Sequence, residues 1–298
     1  MSRSLPRCSA LPLLAILALT AACTSGPGGQ HARAARAEAT RAGGILADHR
    51  AADAFDRIPP EAIAAAKKKF AIYYSRTSHG SQVEVGMHML ANRLGDTYSV
   101  PRSFLEGVNG DLGEHGNLEF EKLTRKALSG FGGMYNVVMW SWCGGATEND
   151  STGIQAYLDA MERLEAAYPT VLFVYMTGHT NQWQSEVTRR NNQQIRDYCK
   201  AHNKVLYDFE DIESWDPDGN FYADAGDDCK WCESWCSSHE CPGCTECSHS
   251  HCFNCYRKGQ AFWWMMARLA GWPGEDAAAT PPPADPPTPA ADPTAAED

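Results

Sequence analysis

The sequence predicts an α/β protein with a three-layer α/β/α arrangement, in which helices cover both faces of a mainly parallel sheet. Three observations carry this. Short, near-continuous apolar runs recur through the middle of the chain, as strands buried on both faces require. Stretches with apolar residues at helical spacing separate them. The clusters of Ser, His, Gly and Cys follow the apolar runs, on the side where an open α/β sheet binds ligands.

The first strand expected is Phe70-Ala71-Ile72-Tyr73-Tyr74, with a helical pattern over 83–94. Tyr135-Asn136-Val137-Val138-Met139-Trp140 is the next. Ile154, Tyr157, Leu158, Met161 and Leu164 then repeat at helical spacing. Val171-Leu172-Phe173-Val174-Tyr175-Met176 is a third strand, followed by a polar helix over about 186–202. Val205-Leu206-Tyr207 is a fourth, and an apolar helix over 260–269 closes the domain.

The ends of the chain are different in kind. Arg3 and Arg7 precede an apolar run over 11–19, then Thr20-Ala21-Ala22 and Cys23, the layout of an export signal. Leu19-Thr20-Ala21-Ala22-Cys23 resembles a bacterial lipobox. That implies lipidation at Cys23 and an exported lipoprotein held at the membrane; an ordinary cleaved signal is the alternative. Residues 24–57 read as a flexible tether, 58–273 as the folded domain, and 274–298 as a disordered Pro, Ala and acidic tail. With 26 Lys+Arg against 37 Asp+Glu the net charge is −11, which excludes binding to a phosphate backbone as a main role. No nucleic acid partner is expected.

Four polar clusters follow the four strands. They are Ser75-Arg76-Thr77-Ser78-His79-Gly80-Ser81, Ser141-Trp142-Cys143-Gly144-Gly145, Thr177-Gly178-His179-Thr180-Asn181 and Asp208-Phe209-Glu210-Asp211. Ser78 lies between a buried strand and a helix, where a nucleophilic hydroxyl finds helix N-terminal amides to stabilise an oxyanion. Helix capping by Ser78 or Ser81 is the plainer alternative. Gly80 would allow close approach of a substrate. A base is needed, and Glu246-Cys247-Ser248-His249 places an acid three residues before an imidazole, just ahead of the closing helix.

These residues resemble the SGNH/GDSL hydrolases, α/β esterases with an early nucleophilic Ser and a late Asp-x-x-His. The match rests on Ser78 in Thr77-Ser78-His79-Gly80 and on Glu246-x-x-His249. The resemblance implies a flavodoxin-like sheet and a catalytic set of Ser78, His249 and Glu246. Departures are Arg76-Thr77-Ser78 for Gly-Asp-Ser, Glu246 for Asp, and Trp142-Cys143-Gly144-Gly145 where the family has Gly-x-Asn-Asp. Oxyanion or substrate contacts would then fall to Ser78, Gly110, Gly144, Asn149, His179 or Asn181. The implied activity is hydrolysis of an ester-bearing carbohydrate or lipid without a cofactor. Trp140, Trp142 and Trp183 near the rim suit sugar stacking or, for Trp140 especially, core packing.

Cys229, Cys232, Cys236, Cys241, Cys244, Cys247, Cys252 and Cys255 form an insert over 228–256. Their spacing suits two four-thiolate zinc sites or a set of disulfides. An oxidising compartment favours disulfides, and Cys143 and Cys199 would complete an even set. Besides the esterase, two other functions fit: a catalytically silent binding lipoprotein on the same fold, and a zinc-binding Cys/His-rich protein.

Overall fold

In the computed structural model, the chain is described over residues 44–107, 112–113, 116–130 and 133–274. The expected leader with Cys23, the first part of the tether, Gly110 and the tail from 275 lie outside the described residues.

The elements run β1 (Ile45–Ala47), α1 (His49–Asp53), α2 (Pro60–Lys69), β2 (Ile72–Ser75), α3 (Ser78–Leu94), β3 (Phe104–Gly107), α4 (Glu119–Gly130), β4 (Val137–Trp140), α5 (Gly145–Glu148), α6 (Ser151–Ala167), β5 (Leu172–Met176), α7 (Ser185–Ala201), β6 (Val205–Tyr207), α8 (Phe209–Ser214), α9 (Lys230–Cys236) and α10 (Cys252–Ala270). The six strands lie in the order β1-β6-β5-β4-β2-β3, all parallel. β2, β4, β5 and β6 are buried at every position, because helices cover both faces. On one face α10 packs against α1, α2 and α3; on the other, α6 packs against α4 and α7. The expected three-layer α/β/α fold with a Cys-rich insert is therefore the fold observed.

Residues 44–57 correct the expected tether. β1 pairs in parallel with β6, and Ala51, Ala52 and Phe55 enter the main core. Three strand residues in an Ala-rich stretch leave too short a periodic pattern to read. Helix α3 also begins at Ser78, not Val83. Its early turn is polar because it faces the rim.

Setting β1 aside, the strands follow the flavodoxin-type order, with the chain reversing direction across the sheet between β2 and β4. The crevice beyond the carboxyl ends of those two strands is where such a sheet binds ligands. Ser78 follows β2 and Cys143 follows β4.

Helices α3 and α10 approach backbone to backbone at Gly86 and Gly259. A Cβ on Gly86 would lie 2.0 Å from the Cys255 carbonyl oxygen, and one on Gly259 would lie 2.4 Å from the Gly86 carbonyl carbon. This contact sets α10, and the loop that leads into it, against the helix that starts at Ser78.

Candidate active site

The hydroxyl of Ser78 does not cap its helix. Thr77 is the N-cap residue, and the Ser81 hydroxyl donates to the Ser78 carbonyl at 2.6 Å. Ser78 Oγ instead lies 2.9 Å from His249 Nε2 and 3.7 Å from Cys143 Sγ. His249 is exposed, with φ of 64°, in the left-handed region that few non-glycine residues occupy. Its loop is held by two cross-links, Cys244–Cys252 and Cys247–Cys255. Gln82 of α3 adds a third tie, donating from Nε2 to the Ser248 carbonyl at 2.5 Å.

Beside this pair is a second one. His79 Nδ1 lies 3.3 Å from Cys143 Sγ, and His79 Nε2 lies 3.2 Å from Asp227 Oδ2. The His79 ring stacks on His179 at 3.7 Å and on His249 at 4.5 Å between centroids. Burial opposes charge on His79, but its hydrogen bonds to Asp227 and Cys143 outweigh this and raise its pKa to about 9. The bond from His79 is the main cause of a Cys143 thiol pKa lowered to about 7. Burial opposes ionisation of Asp227 as well, yet the hydrogen bond from His79 and the neighbouring imidazoles leave its pKa lowered. His179 is pushed down by burial and by the charge of His79.

His79, His179 and Asp227 each bring a ligand atom within 4.8 Å of the others, the spacing of a cation site. The ring geometry does not suit one. Imidazole lone pairs lie in the ring plane, and the two planes are parallel to within 1° and 3.7 Å apart, so they do not converge on a point. Both nitrogens of His79 are already in hydrogen bonds.

The other expected site residues are spread more widely. Glu246 is exposed and lines a surface groove with Val85, His88, Met89 and Asn92; among the described residues no hydrogen bond joins it to His249. Asn149 is buried and fully engaged, donating to the carbonyls of Gly113 and Gly145 and accepting from the Gly116 amide, so it ties the loops behind the rim and is not free for an oxyanion. Asn181 caps the next turn, accepting from the amides of Trp183 and Gln184. Gly144 is partly exposed beside Cys143. Gly80 serves packing, not substrate approach: a Cβ there would lie 2.2 Å from Ser141 Oγ.

The fourth rim cluster turns inward. Asp208 and Glu210 pair with Arg196 at 2.6 and 2.9 Å, and Asp211 accepts from His49 at 2.5 Å. Trp140 and Trp142 are core residues, their indole N–H groups donating to Thr124 Oγ1 and the Met176 carbonyl. Trp183 is 81% exposed.

The eight insert cysteines pair as Cys229–Cys232, Cys236–Cys241, Cys244–Cys252 and Cys247–Cys255. With the sulfurs paired, the four-thiolate zinc sets have no ligands left. Cys143 and Cys199 lie outside these four disulfides, which corrects the expectation that all ten would pair. The insert has a small core of its own, in which Cys229, Trp231, Cys232 and Phe253 cluster with Tyr222 and Trp235 packed against them.

A buried network with little trace in the sequence lies behind the His249 loop. Lys258 and Glu213, both 0% exposed, pair at 2.6 Å. Lys258 also donates to Gln82 Oε1, which links the pair to the Ser248 carbonyl through the same side chain. Glu213 Oε2 accepts from the amide and hydroxyl of Thr180. The only signal in the sequence is a charged residue inside the apolar pattern of α10.

The disulfide frame leads to a measurable consequence. Each of the two 244–255 cross-links closes a span of eight residues, for which chain entropy gives about 2.5 kcal/mol. Replacing Cys247 and Cys255 together with Ser is expected to lower unfolding free energy by about 2–3 kcal/mol. It should also slow covalent labelling of Ser78, because the His249 backbone loses its clamp. Chemical denaturation and a labelling time course check both; unchanged labelling would mean that α10 alone positions His249.

In comparisons with known proteins, no family model, no curated protein and no solved structure matches this chain, so the site is read from its own geometry.

Proposed function

We propose that the protein is an exported Ser-dependent ester hydrolase of SGNH-like type. The observation that carries this is the 2.9 Å contact of Ser78 Oγ with His249 Nε2, made across 171 residues at the switch point of the sheet. Ser78 Oγ attacks the ester carbonyl while His249 Nε2 takes its proton. The same imidazole returns the proton to the leaving alcohol and then activates water to release the acyl group. The amides of the first turn of α3 have no partner within the helix and supply the oxyanion donors.

The substrate class is an O-acylated carbohydrate or a lipid, with Trp183 as an aromatic surface for the sugar. Export to an oxidising compartment agrees with four disulfides. A lipid anchor at Cys23 would keep the domain at the membrane.

Glu246 makes no hydrogen bond to His249 among the described residues, which favours a second reading, a binding lipoprotein that retains the rim without turnover. One experiment separates the two. The mature protein is treated with a fluorophosphonate, and the adduct is mapped by mass spectrometry beside Ser78→Ala. Labelling at Ser78 that vanishes in the variant is the expected result. A folded, disulfide-bonded protein that takes no label would overturn the hydrolase and leave the binding protein.

A further inference from the structure

The geometry points to Cys143 as a second nucleophile of the rim, a sulfur paired with the His79 imidazole that takes an acyl group from an ester carbonyl. Asp227 decides which nitrogen of His79 faces the sulfur. A carboxylate only accepts hydrogen bonds, so His79 Nε2, 3.2 Å from Asp227 Oδ2, carries a proton. In the neutral ring Nδ1 then holds the lone pair, and it lies 3.3 Å from Cys143 Sγ. Nucleophile, base and orienting acid are thus in line, contributed by the loop after β4, the first turn of α3 and the loop before α9. His79 is buried while Cys143 is partly open to the rim, so the base is fixed and the sulfur is reachable.

Ser78 and His249 are neighbours of this line and not members of it; the two nucleophiles lie 3.7 Å apart and would meet the same substrate. The groups facing the pair are Ser78 from α3, Asp227, Glu213 of α8, His179 after β5 and His249 from the cross-linked loop. Together they hold His79 protonated and Cys143 ionised in the range between about 7 and about 9. Cys199, the other cysteine outside the disulfides, is buried in α7 and pushed far the other way by that burial, which makes it an internal reference.

In the acylation step the Cys143 thiolate, paired with the His79 imidazolium, bonds to the carbonyl carbon. The carbon–oxygen bond of the ester breaks, and His79 gives the proton to the departing alkoxide. Water then attacks the thioester, a proton returns to sulfur, and a carboxylic acid leaves.

Two measurements on the intact, disulfide-bonded protein test this. Alkylation of Cys143 by iodoacetamide is followed against pH, with the site assigned by peptide mapping. Half-maximal rate is expected near pH 7, against about 8.5 for an ordinary thiol. His79→Gln should move it to about 8.5 and cut the rate at pH 7 about tenfold. Asp227→Asn, which keeps shape and a hydrogen bond, should move it in the same direction and serves if His79→Gln does not fold. Separately, Ser78→Ala is incubated with p-nitrophenyl acetate, and the acetyl group is expected on Cys143, removable by neutral hydroxylamine.

A half-maximum at about 8.5 in the wild type, or no acetyl on Cys143, overturns the proposal. Fluorophosphonate labelling of Ser78 is read on a different residue, so either nucleophile can fail without the other.

Discussion

His249→Asn is expected to fold and to lower the rate of ester turnover by about 100- to 10,000-fold, the range supplied by a positioned general base. Asn is the substitution of choice because it tolerates the left-handed backbone that His249 adopts at φ 64°, so the loop between the cross-links is kept while the imidazole is lost. His249 is exposed, so the variant gives up its hydrogen bond to Ser78 and its stacking on His79 but no core packing. The measurement is initial rate on a chromogenic ester, with thermal unfolding as the control for folding. A rate within a few-fold of wild type in the folded variant would mean that His249 does not activate Ser78, and the hydrolase mechanism would have to be abandoned in this form.

Lys258→Met is expected to destabilise the protein by about 3–5 kcal/mol, because it leaves Glu213 buried without its cation. Glu213→Gln should cost a comparable amount from the other side. Burial already pushes the Lys258 pKa down, opposed mainly by Glu213 and further by Asp227, so the ammonium depends chiefly on the carboxylate it touches. Replacing both residues with apolar ones of similar volume should recover much of the loss, since a buried pair contributes little net stability beyond avoiding an unpaired charge. Urea denaturation of the two single variants and the double variant tests this. A single-variant cost under about 1 kcal/mol would show that water or another group satisfies the survivor. Because Gln82 connects Lys258 to the Ser248 carbonyl, either single change should also loosen the His249 loop and slow labelling of Ser78.

The sheet was legible wherever a strand was long enough and apolar on both faces. β2, β4, β5 and β6 read as runs of Ile, Val, Leu, Met and aromatics, and their order along the chain implied the rim at their carboxyl ends. Ser78 was legible because it follows a strand and precedes a helix, and its pairing with His249 because the resemblance to the SGNH/GDSL hydrolases implies a late His ahead of the last helix. β1 was not, since three residues carry no period and only pairing with β6 makes them a strand. Asn149 and Trp142 resembled site residues because polar and aromatic side chains near a strand end have the same sequence signature whether they face solvent or tie loops from behind.

The meeting of Ser78 with His249 was implied by the resemblance to the SGNH/GDSL hydrolases, while the α/β class, the rim and the cross-linked insert were readable from the residues themselves. These follow from local periodicity, and from residue types whose chemistry has few structural uses. The packed fold was needed to show which cysteines pair, that Cys143 is left out of the disulfides, that His79 stands between it and Asp227, and that Lys258 and Glu213 lie under the site. Those facts depend on which strand lies beside which and on how closely α3 and α10 approach at Gly86 and Gly259. His79 and Asp227 are 148 positions apart, and Lys258 and Glu213 are 45. A partner that distant is chosen by the packing of the whole domain, and no local pattern encodes it.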